Sequence, residues 1–249
     1  MVQNDIKETV INLQHLSHRY GKIEALNDVS VSIKRGSTVG LIGPDGVGKS
    51  TLLSLICGVK KLQQGEIEVL GSKVRTQKDR DYLSSKIAYM PQGLGLNLYF
   101  SLSVYENIEF IARLSQIPVA VREKKIEQLL KSTGLYPYRD RPAGQLSGGM
   151  KQKLSLCCAL VYDPEILILD EPTTGVDPLS RRQFWLLIGK LRELRPEMTM
   201  IVATAYMEEA EQFEHLLGLF NGQLIFNEKL EELLLTSESQ SVEEAFVKH

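Results

Sequence analysis

Eight consecutive residues, Gly43-Pro44-Asp45-Gly46-Val47-Gly48-Lys49-Ser50, satisfy the pattern G-x-x-x-x-G-K-[ST]. Such a run does phosphate chemistry. The glycines let successive backbone N–H groups turn inward on phosphate oxygens, and a helix opening at Lys49 adds partial positive charge. The lysine reaches the outer phosphates, and the Ser50 hydroxyl takes a place on Mg²⁺. Thr51, the next residue, belongs to the same nucleotide-binding set. Asp45 is an anion inside an anion-binding loop. At ~6 Å and an effective dielectric of about 20, one phosphate charge repels it by about 3 kcal/mol. Its side chain is therefore expected to point away from the phosphates, either capping the loop or reaching across a dimer interface.

A second chemical feature is Ile166-Leu167-Ile168-Leu169-Asp170-Glu171, an apolar strand ending in two carboxylates. Strand-end geometry lets Asp170 bind Mg²⁺ directly or through water. Glu171, facing the other way, is placed to polarise a water for attack on a terminal phosphate. Four apolar residues followed by Asp-Glu mean little alone; downstream of a phosphate loop they become specific.

These residues need elements to hold them. Val29, Val31 and Ile33 alternate with polar neighbours and read as a half-buried strand ended by Gly36, with a second strand over 38–42 leading into the glycine turn. Residues 50–57 read as a helix. Residues 166–169 and 200–203 are short, wholly apolar strands, as in a parallel sheet buried on both faces. Residues 216–220 and 224–226 flank Asn221-Gly222 and form a hairpin with a type I′ turn. Residues 94–162 are mostly helical: Leu129 and Leu130, and Met150, Leu154, Cys158 and Val161, recur at helix spacing. A polar break over 237–241 precedes a final short helix around 243–247. The expected fold is α/β, a parallel P-loop NTPase core of RecA-like type with an antiparallel β subdomain and a helical subdomain. The division is a core with its β annex over 1–92 and 163–236, a helical subdomain over 93–162, and a tail helix over 237–249.

The chain has 249 residues, is 43% hydrophobic and carries a formal net charge of -2, which excludes disorder and a broad nucleic-acid footprint, so no DNA partner is expected. Cys57, Cys157 and Cys158 lie in apolar runs without a C-x-x-C pair and read as buried, reduced thiols. No apolar run approaches the ~18 residues a membrane span needs, and Met1-Val2-Gln3-Asn4-Asp5 lacks the pattern of a signal peptide. A cytoplasmic location is expected, at the inner face of the membrane if a partner supplies the spans.

The two motifs resemble Walker A and Walker B of the ATP-binding cassette (ABC) ATPases. Leu146-Ser147-Gly148-Gly149-Met150-Lys151-Gln152 is similar to that family's LSGGQ signature, with Met150 in place of the usual Gln. The resemblance implies Mg-ATP as the ligand and a second cassette as partner, with Ser147, Gly148 and Gly149 capping the partner's ATP. It implies that Tyr20 stacks on adenine, that Gln92 senses Mg²⁺ and the attacking water, and that Asp177 lies on the loop crossing the dimer interface. Leu102-Ser103-Val104-Tyr105-Glu106-Asn107 lies where the family meets a transmembrane permease subunit or domain. Lys49, Gln92 and Glu171 are the implied catalytic set, with Ser50, Gln92 and Asp170 around the metal. Within the family, residues 170–178 and 241–246 look most like export-type, multidrug-like subunits. The stretches 43–93, 139–144 and 204–207 are closer still to the first cassette of the ribosome-associated ATPase, in which case the chain is a fragment.

One position departs from the family. The histidine expected after the strand over 200–203 is Ala205; His15, His18, His215 and His249 lie elsewhere. Tyr206 is adjacent, but with a pKa near ~10 it is a poor base, and it is expected to point to the opposite face. Two readings stand: Glu171, Lys49 and Mg²⁺ suffice, or the site is slow or is paired with a second cassette that keeps its histidine. The functional reading is an ATPase that drives a membrane partner, with alternatives of a ribosome-acting ATPase and a slow nucleotide-sensing module. On the slow-site reading, Ala205→His raises the turnover of the isolated domain, and equal turnover of the two proteins assigns the work to Glu171.

Overall fold

The protein is described by a computed structural model over residues 8–248. The segment 1–5 read against a signal peptide, and His249, lie outside these residues. Among the described residues ten strands run in chain order: β1 (Thr9–Tyr20), β2 (Ile23–Lys34), β3 (Thr38–Ile42), β4 (Gln64–Val69), β5 (Ser72–Lys73), β6 (Ile87–Met90), β7 (Ile166–Asp170), β8 (Thr199–Thr204), β9 (His215–Phe220) and β10 (Gln223–Lys229). They form an antiparallel sheet of order β2-β1-β4-β5 and a six-stranded sheet of order β10-β9-β3-β8-β7-β6.

The larger sheet is parallel except for its β10 edge. Every residue of β3, β7 and β8 is buried, so these strands accept neighbours on both faces and none alternates with solvent. Register decides where the strands end. Ile42 pairs with Thr204, Asp170 with Ala203 and Met90 with Leu169. The loops beginning at Gly43, Glu171, Ala205 and Pro91 therefore leave one edge of one sheet, the carboxyl edge where open α/β sheets place their ligands. The hairpin extends this sheet, because β9 pairs in parallel with β3. Asn221 and Gly222 both have positive φ, 46° and 76°, as a type I′ turn requires.

The segment between β6 and β7 has its own core. Helices α3 (Val104–Leu114), α4 (Val119–Thr133) and α5 (Gly148–Leu160) bury Ile108, Ile126, Leu130, Leu154, Cys157 and Val161 together. The start of α3 is built around Asn107. Its carboxamide accepts from the Tyr99 N–H and donates to the carbonyls of Tyr99, Leu102 and Ser103. Part of the stretch 102–107 expected to meet a partner is thus internal: Val104 and Asn107 are buried.

Several elements escaped the sequence reading: β1, β4, β5, β6, the helix Gln77–Ser84 (α2), the helix Pro178–Leu194 (α6) and the helix Leu230–Thr236. The last begins at Leu230, and Lys229 before it gives no capping side chain. The final helix, Val242–Lys248, seats Phe246 edge-on against Phe220 and Phe226 of the hairpin. The cysteines are all free; Cys157 and Cys158 are buried, whereas Cys57 is half-buried. Among the described residues no helix is long and apolar enough to cross a membrane.

Asn107→Ala strips partners from four backbone groups at once. We expect it to lower unfolding free energy by about 2–3 kcal/mol, read as a lower denaturation midpoint with unchanged slope.

Candidate functional site

Lys49 opens the helix Lys49–Ile56 (α1) directly after the β3 turn. The turn needs glycine: Gly48 has φ 109°, and a β-carbon there would meet the Ala25 carbonyl at 2.3 Å. Lys49 is only 3% exposed along its side chain. Its Nζ donates to the carbonyls of Gly43 (2.8 Å) and Pro44 (2.9 Å), and lies 3.3 Å from Glu171 Oε1. Asp45 was expected to turn away from the phosphates, yet its Oδ1 lies 3.8 Å from Lys49 Nζ. No hydrogen bond joins it to its loop among the described residues, and at 82% exposure the side chain is free to leave.

Glu171 is where the strand pattern breaks. Alternation would set it on the face opposite Asp170, but its φ is 48°, a left-handed conformation that non-glycine residues adopt at a cost of order 1–3 kcal/mol. Its N–H donates to the Ala203 carbonyl at 2.8 Å. The side chain reaches Lys49 on one oxygen, while the other accepts from Gln92 Nε2 at 2.8 Å and Thr174 Oγ1 at 3.2 Å. A carboxylate so held is aimed into the phosphate loop.

Asp170, at the end of β7, accepts the Tyr89 hydroxyl on Oδ2 at 3.0 Å. Its Oδ1 is buried and has no hydrogen-bond partner among the described residues. Burial pushes its carboxyl pKa up, opposed by the Ser50 and Tyr89 hydroxyls and by Lys49. A buried carboxylate oxygen without a donor, beside a serine hydroxyl, fits a hard divalent cation such as Mg²⁺.

Tyr20 is 43% exposed at the end of β1, its hydroxyl 3.3 Å from Thr51 Oγ1. Lys60 Nζ lies over its ring at 5.0 Å, and His18 meets it edge-on at 4.8 Å. Gly43, Lys49, Ser50, Thr51, Tyr20, Gln92, Asp170 and Glu171 are therefore neighbours.

The signature residues are not. Ser147 caps α5, accepting from the Met150 N–H at 3.3 Å. Gly149 lies so close to α6 that a β-carbon would meet Ser180 Cβ at 2.4 Å. Asp177 caps α6 through the Ser180 N–H at 2.9 Å, and these backbone donors hold its pKa low. Among the described residues no hydrogen bond or ion pair links Ser147, Gly148, Gly149 or Asp177 to residues 43–51. Tyr206 turns its ring to the Arg181 guanidinium, 4.4 Å away.

Sequence reasoning missed Tyr89 and Thr174 as partners of the two carboxylates. Tyr89 sits three residues before Gln92 on an apolar strand, where a tyrosine hydroxyl needs a buried partner; that was the available signal.

A phosphate-binding turn, two strand-end carboxylates and a helical insertion on a parallel sheet define a P-loop nucleotide-binding domain. Residues 26–174, over half of the chain, match the protein family described as ABC transporter. The chain is 38% identical over 239 residues to the probable multidrug ABC transporter ATP-binding protein YbhF of Escherichia coli (strain K12), covering 95% of this chain and 40% of that relative's length. Among solved structures it resembles cbiO1 from Clostridium perfringens, part of the ABC transporter complex cbiONQ, with TM-score 0.84, 28% identity and 93% of each chain covered. It also resembles a dimeric post-hydrolysis ATP-binding cassette, MJ0796, bound to ADP and Pi, with TM-score 0.78, 29% identity, and 88% and 98% of the two chains covered. The chain belongs to the ABC transporter family and is an ATP-binding domain of it.

An acid whose folded pKa is raised weakens the fold once ionised: its penalty is absent below the unfolded pKa and complete above the folded one. Asp170→Asn keeps an acceptor for Tyr89 and removes the charge. Without nucleotide or Mg²⁺ it should raise stability at pH 7, read as a higher denaturation midpoint, the gain vanishing at acidic pH. An equal gain at all pH values would contradict the ionised buried carboxylate.

Proposed function

We propose that this domain binds Mg-ATP at the P-loop, pairs with a second cassette around it, and hydrolyses it to drive a transmembrane permease partner in export. The observation that carries the reading is Glu171, held by Gln92 and Thr174 on one oxygen and facing Lys49 with the other, with the unpartnered Asp170 oxygen beside Ser50. The export direction is supported by the multidrug description of the Escherichia coli relative. Because the chain spans 40% of that relative's length, the transported substrate class and permease belong to the proposal.

In this reading Tyr20 stacks on adenine and the N–H groups of residues 45–50 cradle the β- and γ-phosphates. Lys49 exchanges its loop carbonyls for γ-phosphate oxygens. Asp45 swings outward, as its exposure permits. Ser50 and Asp170 hold Mg²⁺, which when bound neutralises charge developing on the phosphates. Gln92 and Thr174 hold one oxygen of Glu171 so that the other, which Lys49 gives up as it turns to the γ-phosphate, accepts the proton of a water in line with the γ-phosphorus. Ser147, Gly148 and Gly149 act in trans: their N–H groups at the start of α5 meet the partner's γ-phosphate, and Asp177 lies at that seam. This accounts for their separation from the P-loop of their own chain. The functional division remains the core over 1–92 and 163–236, the signature subdomain over 93–162 and the tail over 237–249. The ribosome-acting alternative has no observation in its favour.

Two variants test this. Lys49→Ala should weaken ATP binding by about 10- to 100-fold, the loss of one charge-assisted contact. Glu171→Gln should bind ATP as tightly as wild type, lose about 10²- to 10³-fold in turnover, and shift to a dimer by light scattering when ATP is added. A monomeric, ATP-loaded Glu171→Gln protein would rule out the paired-site mechanism for the homodimer, and failure to pair with any cognate cassette would rule it out altogether.

A further inference from the structure

The end of β8 carries Ala205 where the family resemblance expects a histidine, and the turn around it is held by Thr204, whose hydroxyl also reaches a buried carboxylate. Glu209 is 4% exposed, yet among the described residues no lysine pairs with its carboxylate. Its Oε1 accepts from the Thr173 hydroxyl and from Trp185 Nε1 at 3.0 Å, and its Oε2 accepts from the Thr204 hydroxyl at 2.7 Å. Among the described residues the cation paired with it is Arg181, whose Nε lies 4.0 Å away and whose guanidinium covers Tyr206. A buried carboxylate is retained at a desolvation cost only where its bonds are complete. Here three neutral donors from three different elements converge on it.

What those donors join is the reacting edge. Thr173 and Thr174 are consecutive, and Thr174 holds Glu171. Thr204 accepts the Tyr206 N–H at 3.0 Å and so shapes the turn that contains Ala205. Trp185 lies on α6, which Asp177 caps. We propose that Glu209 is a positioning residue for ATP hydrolysis: its carboxylate ties the loop after β7 to the loop after β8 and to α6, and thereby fixes Glu171 against the P-loop. This rests on the proposed role of Glu171. Glu209 itself touches neither the P-loop nor, in this reading, the nucleotide. Its loss should change the orientation of the base and leave the phosphate cradle as it is.

Glu209→Gln preserves shape and one acceptor oxygen but sets an amide donor against a hydroxyl that itself donates. Misplacement of a catalytic group by a fraction of an ångström costs on the order of tenfold or more. The expected result is kcat lowered about tenfold with ATP affinity within about twofold of wild type, the pattern of an interaction realised in the transition state. In a Glu171→Gln background the same substitution should change the residual rate by less than about twofold, since residues acting as a unit are non-additive. Trp185→Phe removes a single donor, keeps the carboxylate and both threonines, and should lower kcat about threefold, again at constant affinity. It serves if Glu209→Gln does not fold. Unchanged kcat in either folded variant, or equal loss in the wild-type and Glu171→Gln backgrounds, overturns the proposal. Absence of Glu171-dependent hydrolysis in the wild-type protein, by contrast, defeats the ATPase reading itself.

Discussion

The ammonium group of Lys49 organises the site. Buried at the head of α1, it is met by two carbonyls of its own loop and by the Glu171 carboxylate. At 3.3 Å the ion pair has a gross attraction of about 5 kcal/mol at an effective dielectric of about 20. Desolvation of both charges takes back most of it. The contact is therefore strong enough to orient the partners and weak enough to be exchanged for a triphosphate, which brings more charge and better-aligned oxygens. A surface lysine could do neither, because its solvation and rotamer freedom would compete with every ligand.

That arrangement depends on sheet register. Parallel pairing of β3, β8, β7 and β6 ends four strands at one edge, so four loops far apart in sequence start side by side. The helical segment obeys different constraints. It packs around its own core, with Asn107 closing its first turn through backbone groups. Its serine-glycine start is anchored to α6 through the tight approach of Gly149 to Ser180. A rigid platform that presents N–H groups away from its own lysine suits a site completed by a second body.

The sheet's centre was legible because β3, β7 and β8 are short apolar runs with nothing to mistake them for. The phosphate loop was legible because its glycines are demanded by backbone geometry, as the 2.3 Å approach at Gly48 shows. Strand β1 was missed because His15, with φ 53°, interrupts its alternation; β6 is four residues long and reads equally as the end of a helix. Glu208 and Glu209 are adjacent and chemically alike, and only tertiary structure separates the exposed member from the buried one. Left-handed backbone at Glu171 had no sequence signal, because glutamate is an ordinary strand-end residue until the carbonyl of Ala203 claims its N–H.

The strained backbone at Glu171 and the carboxylate network behind it are mechanically linked. A left-handed glutamate persists only where surrounding bonds over-determine it, and here they come from both sides: Ala203 on its N–H, Gln92 and Thr174 on its side chain. Thr174 in turn is held by the segment that Thr173 pins to Glu209. Each bond alone is worth about 1 kcal/mol, comparable with the strain, so no single one fixes the Glu171 carboxylate. Together they exceed it. The turn that carries Ala205 is anchored in the same way, by Thr204 through the same carboxylate.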